Sequence, residues 1–161
     1  MGLLNQAIRQ QQEGARYYMQ QSEHNAQTAL KDVFELLAED EKRHEMILQA
    51  TRDNLPVELK DDGTREKVAM LFSDLAAQQR DIPAPIAQAD VYKAAWEMEK
   101  ISVSLYEQLF DATQDENTKA LYAFLIDQER MHMDIMENLY RFVNRPNEWV
   151  EAAEFGLREE Y

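Results

Sequence analysis

The sequence predicts an all-α protein built around a four-helix bundle, and three observations support this fold class. The 161 residues include only four glycines and four prolines, and residues with high helix propensity are plentiful. Apolar residues recur at steps of three and four along four long segments, as on the buried face of a helix. The second half of the chain also repeats the pattern of the first half. A chain of this length has room for a single domain, residues 1–161.

Helix one is predicted over residues 3–22 and helix two over residues 26–52. The apolar stripe of helix one contains Leu4, Ile8, Ala15 and Tyr18. The apolar stripe of helix two contains Leu30, Val33, Phe34, Leu37 and Leu48. Because each stripe keeps the spacing of one helix face, both helices should bury that face in a shared core.

A crossover is predicted over residues 53–89. It holds three of the four prolines and one glycine, which break a regular helical pattern. One short amphipathic helix is expected within it, from about Arg65 to Gln79. A connection of this length can travel along the whole bundle before the second hairpin begins.

Helix three is predicted over residues 90–112, with Asp90 as its N-cap, and helix four over residues 117–143. Pro146 should end helix four. The tail, residues 146–161, is expected to form a short C-terminal helix whose Trp149 and Phe155 pack against the bundle or a partner chain. A homo-oligomer is expected, with a dimer favoured.

The two halves of the chain share one register. Glu129 lies 88 residues after Glu41, and His132 lies the same distance after His44. The chain thus resembles a duplicated helical hairpin. An approximate two-fold axis between the hairpins would bring equivalent mid-helix residues together in the core.

Both Glu-x-x-His pairs lie on the apolar stripes of their helices, so they should be buried. Glu41 precedes His44 by three residues, as Glu129 precedes His132, which places the two side chains of each pair side by side. A buried carboxylate is costly unless it is paired, protonated or bound to a metal. The chain has no cysteine, so a metal must be held by oxygen and imidazole nitrogen, a ligand set that suits iron, manganese or zinc.

The other two helices should each add one inward group. On helix three, Glu99 shares the stripe of the apolar residues, whereas Glu97 points away. The equivalent position on helix one is Gln11, which offers an amide oxygen without a charge. The nearest acid, Glu13, lies roughly 200° around the helix and could serve only if the register shifts locally. The pattern leaves open whether Gln11 or Glu13 is a ligand.

With these motifs, residues 3–143 resemble the ferritin-like di-iron carboxylate proteins, and the segment LLAEDEKRHEMIL is most similar to the rubrerythrin-like group. The resemblance implies two irons per chain, with manganese or zinc as substitutes. It implies that Glu41 and Glu129 bridge the irons, and that Tyr18 and Tyr106 lie close to them. The implied ligands are Glu41, His44, Glu99, Glu129 and His132, with Gln11 where a terminal carboxylate is normal.

The resemblance also implies a chemistry. Ferrous iron would react with O2 or H2O2, as in a ferroxidase or peroxidase, and the protein would act against oxidative stress. Rubrerythrins carry a cysteine-ligated rubredoxin domain, so a chain without cysteine needs a separate electron donor or takes electrons from its substrate. Because Gln11 lacks a charge, one half of the site should bind iron more weakly.

Composition removes several alternatives. The net charge of −14 disfavours nucleic acid as a partner, and the absence of an apolar run of about twenty residues disfavours a membrane span. A soluble, cytoplasmic protein is expected.

A second interpretation keeps the bundle but makes it a non-catalytic helical oligomeric or adaptor protein with a degenerate metal site. Iron storage in a cage ranks third.

Overall fold

The computed structural model describes residues 2–28, 30–78 and 85–144, and within these residues it contains five helices and no strand. The predicted all-α class is therefore confirmed. The helices are α1 (Leu3–His24), α2 (Leu30–Arg52), α3 (Thr64–Gln78), α4 (Pro85–Ala112) and α5 (Glu116–Asn144).

The helices pack as two hairpins joined by the crossover. Helix α1 packs against α2, and α4 packs against α5; α1 also contacts α4, and α2 contacts α5. These four helices form the ferritin-like bundle that the sequence predicts. Helix α3, the short helix of the crossover, lies against α2 and buries Val68 and Phe72 in the core.

The loop between α1 and α2 is longer than predicted, because α2 begins at Leu30 rather than at residue 26. Two polar side chains account for the difference. The Asn25 side-chain amide donates to the carbonyl oxygen of Gln21 at 2.8 Å, and the Thr28 hydroxyl accepts from the backbone N–H of Leu30 at 3.2 Å. The second bond satisfies a backbone N–H that the start of α2 leaves unpaired, and the first holds Asn25 against the end of α1, so together they fix the turn here.

Helix α4 begins at Pro85, five residues before the predicted start, so the prediction of Asp90 as an N-cap is wrong. Proline has no N–H to lose in the first turn of a helix, and its fixed φ suits that position. Helix α5 agrees with the prediction to within one residue at each end. The predicted tail helix, with Pro146, Trp149 and Phe155, lies outside the described residues.

The core consists of two apolar clusters at different heights along the bundle. Phe34, Leu37 and Ile135 belong to one cluster, and Leu48 and Leu125 belong to the other. Every long helix contributes to both clusters. The residues between them in sequence are polar, so a polar layer divides the core at mid-height.

Candidate metal centre

The polar layer is almost completely shielded from solvent. Each of its members is at most 2% exposed. The layer comprises Gln11, Asp40, Glu41, His44, Glu99, Ser102, Glu129 and His132. Buried ionisable groups are costly unless something compensates for their lost hydration, so the contacts within this layer decide what it can do.

His132 lies at the centre of a carboxylate cluster. Its Nδ1 atom is 2.8 Å from Oε2 of Glu99, 3.2 Å from Oε1 of Glu41 and 3.3 Å from Oε1 of Glu129. Ligand atoms of these four residues all lie within 4.8 Å of one another. Three carboxylates and one imidazole from three helices therefore converge closely enough to hold a metal ion.

His44 lies beside two of the same carboxylates. Its Nδ1 atom is 3.2 Å from Oε1 of Glu41 and 3.4 Å from Oε1 of Glu129. The two imidazole rings stack with centroids 5.8 Å apart. Glu41 and Glu129 thus lie close to both histidines, whereas Glu99 contacts His132.

Of the two alternatives on helix one, Gln11 is the residue in the polar layer. Gln11 is fully buried, and its side-chain amide donates to the hydroxyl of Ser102 at 3.2 Å. Glu13 is exposed to solvent. The register of α1 does not shift locally, so Glu13 lies outside the cluster.

Gly14 makes room for one of the carboxylates. A Cβ atom at this position would lie 2.7 Å from Oε2 of Glu41, closer than two such atoms approach without displacement. The equivalent residue of the second hairpin is Ser102, whose hydroxyl instead accepts from Gln11. The two halves of the layer therefore differ at this position, with a glycine in one half and a hydrogen-bonded serine in the other.

Several atoms of the layer make no hydrogen bond among the described residues, although some of them lie within ion-pair distance of a neighbour. They are Oε1 of Gln11, Glu41, Glu99 and Glu129, and Nδ1 of His44. Buried polar atoms are nearly always satisfied, and a group of unsatisfied ones needs an explanation. Oxygen and imidazole nitrogen are ligands for first-row divalent metals, so the residues present fit a bound metal.

The two predicted tyrosines contact the carboxylates. The hydroxyl of Tyr18 donates to Oε2 of Glu99 at 2.7 Å, and that of Tyr106 donates to Oε2 of Glu129 at 3.2 Å. Burial, together with the nearby carboxylates, raises the pKa of both phenols well above the usual value. They therefore stay protonated donors, each holding one carboxylate oxygen, while Oε1 of the same carboxylate makes no hydrogen bond.

Without a metal, the layer retains protons. Burial and the charge of Glu129 raise the pKa of Glu99 to about 7. Burial alone would lower the pKa of His44, but Glu129 and Glu41 outweigh it and raise that pKa to about 10. The pKa of His132 is raised for the same reason, chiefly by Glu99. A divalent ion would take the place of these protons.

Asp40 is a buried member of the layer that sequence reasoning missed. Its Oδ2 atom lies 2.9 Å from Nε2 of His132. Burial opposes its ionisation, but the hydrogen bond with His132 holds the pKa of Asp40 below its usual range. The available signal was its place on the helix, because Asp40 follows the buried Leu37 by three residues and precedes His44 by four.

None of the helices that the structure describes is both long and apolar enough to cross a membrane.

The rubrerythrin family model matches residues 2–140. No curated protein and no solved structure matches the chain.

Proposed function

Because the chain belongs to the rubrerythrin family, we propose that it binds iron in the polar layer and that the ferrous iron reacts with O2 or H2O2, in a ferroxidase or peroxidase type of reaction. The observation that carries the proposal is the convergence of Glu41, Glu99, Glu129 and His132, with ligand atoms within 4.8 Å of one another. The Oε1 atoms of the three carboxylates, which make no hydrogen bond, support it.

The contacts divide the proposed ligands into two halves. Glu99 and His132 would hold one ion, Gln11 and His44 would hold the second, and Glu41 and Glu129 would be shared because they lie close to both histidines. When bound, ferrous iron would supply the electrons that reduce the oxidant and would itself become ferric. Manganese or zinc would bind the same oxygen and nitrogen ligands.

The protein's own residues would prepare the site for this reaction. Tyr18 and Tyr106 hold one oxygen of Glu99 and of Glu129, which fixes the orientation of both carboxylates. The apolar clusters above and below the layer keep bulk water away, so electrostatic interactions within it are strong. Three carboxylates offset most of the charge of two divalent ions.

Three further parts of the proposal rest on the sequence. Since the chain has no cysteine, we propose that a separate protein or the substrate supplies electrons. A homo-oligomer and a cytoplasmic location stay predictions.

The test is an anaerobic titration of the metal-free protein with ferrous iron, followed by exposure to O2 or H2O2. We expect two irons per chain, then ferric absorption in the near ultraviolet. Glu129→Gln should abolish paired binding, whereas the control Glu137→Gln, at an exposed position of the same helix, should not. A wild-type chain that binds no iron would refute the proposal, and a stable oligomer without iron would favour a non-catalytic assembly role.

A further inference from the structure

Asp40 links the crossover to His132. Its Oδ2 atom contacts Nε2 of His132 at 2.9 Å, while its Oδ1 atom lies 2.9 Å from the hydroxyl of Thr64, the first residue of α3. The guanidinium of Arg43 contacts Asp40 and also Asp62 of the crossover. Asp40 and Thr64 are both fully buried. One carboxylate on α2 thus joins α5 to the start of α3.

This contact fixes both nitrogens of the His132 ring. Nδ1 faces Glu41, Glu99 and Glu129, whereas Nε2 faces Asp40. A carboxylate at Nε2 favours the tautomer with the proton on Nε2, which leaves the lone pair of Nδ1 for a metal. Rotating the ring would break the contacts at both nitrogens at once.

The second half of the layer lacks this arrangement. The residue 88 positions after Asp40 is Gln128, which is buried and uncharged. Among the described residues, no hydrogen bond joins Gln128 to His44. The same half has Gln11 where the other half has Glu99. Two independent differences therefore both favour stronger metal binding by the half with Glu99 and His132.

We infer that Asp40, held by Thr64 and Arg43, is a positioning residue for His132, and that it causes the half-site of Glu99 and His132 to take up a divalent ion before the half-site of Gln11 and His44. This inference rests on the proposed function, because it requires the layer to bind metal. It adds an order in which the two half-sites bind their ions. It also gives the crossover a role, because Thr64 would help to set the affinity with which the first ion binds.

The first test is an anaerobic titration of the metal-free protein with Co²⁺ and separately with Fe²⁺. Wild-type protein should bind in two steps. Asp40→Asn should weaken the first step by about 10- to 100-fold, as the loss of an outer partner of a metal-binding histidine typically does, and leave the second step nearly unchanged. Asp127→Asn is the control, since it removes the same charge from an exposed position of α5.

Thr64 provides a second pair of variants that does not alter the layer itself. Thr64→Val removes the hydroxyl and keeps the shape, so it should weaken the first step. Thr64→Ser keeps the hydroxyl and should restore wild-type affinity. If Asp40→Asn does not fold, as judged by circular dichroism of the metal-free protein, this pair decides the question.

A spectroscopic readout separates positioning from a general structural effect. In proton NMR of the Co²⁺-loaded protein, the Nε2–H signal of His132 should exchange slowly with D2O, and this protection should be lost in Asp40→Asn. Equal weakening of both steps, an unaffected first step or unchanged N–H exchange would overturn the inference while the proposed function stands. A wild-type protein that binds neither Co²⁺ nor Fe²⁺ would overturn both.

Discussion

Replacing Gly14 by alanine should separate metal binding from folding, because the new methyl group would meet Glu41, a proposed metal ligand, rather than the apolar core. An alanine Cβ would lie 2.7 Å from Oε2 of Glu41, which is about 0.7 Å inside the ordinary contact distance of about 3.4 Å. Oε2 is the far end of the side chain, so the carboxylate can move aside without displacing the backbone.

The effect on stability should be small. Alanine is favoured over glycine within a helix by up to about 1 kcal/mol. A strained Glu41 rotamer would cost on the order of 0.5–1.5 kcal/mol, so the two effects nearly cancel. Binding geometry tolerates about 0.5 Å of misplacement, less than the required shift. We therefore expect iron affinity to fall by about 10-fold or more while the free energy of unfolding changes by less than about 1 kcal/mol.

The assay combines denaturant unfolding of the metal-free protein with anaerobic iron titration. Arg16→Gly and Arg16→Ala provide the matched control, because residue 16 is an exposed position of the same helix. Their difference measures the preference for alanine over glycine without a contact to Glu41. Unchanged iron affinity in Gly14→Ala would refute the reasoning, since Glu41 could not then bind metal in the position that the structure gives it.

Three further predictions address the charge, protonation and hydrogen bonding of the layer. Gln11→Glu should strengthen the weaker iron-binding step by adding a fourth carboxylate, and an unchanged second step in calorimetry would place Gln11 outside the site. The metal-free protein should lose stability as pH rises from about 4.5 to 7, because the folded state binds a proton on Glu99 more tightly than the unfolded chain does. The raised pKa of His44 extends this loss from about 6.5 to 10, and a melting temperature that rises over this range would contradict both assignments. Tyr18→Phe should destabilise the metal-free protein by about 1–3 kcal/mol, since it removes the buried donor to Glu99; unaltered denaturant unfolding would show that this hydrogen bond contributes nothing.

The repeated register and the apolar stripes were sufficient to predict the bundle and its polar layer. Residues three and four apart on a helix share a face regardless of what surrounds them. Glu41 and Glu129 could therefore be assigned to the core from spacing alone, and the shared offset of 88 residues placed them at one height. Both are fully or almost fully buried.

The role of Asp40 could not be predicted in the same way. Its partners His132 and Thr64 come from two other helices, and spacing within one helix carries no information about contacts between helices. The start of α4 was missed for a local reason. Asp90 has the chemistry of an N-cap, but Pro85 allows the helix to begin earlier.

The packing of the two hairpins is uneven, and this would give a bound ion a structural role. Helices α1 and α4 contact each other more extensively than α2 and α5, the helices that carry Glu41 and Glu129. A metal ion held by both carboxylates would act as a crosslink between these helices, as a disulfide does in other proteins. Without the ion, α2 and α5 would be joined across the layer by contacts of side chains alone, such as Asp40 with His132 and His44 with Glu129.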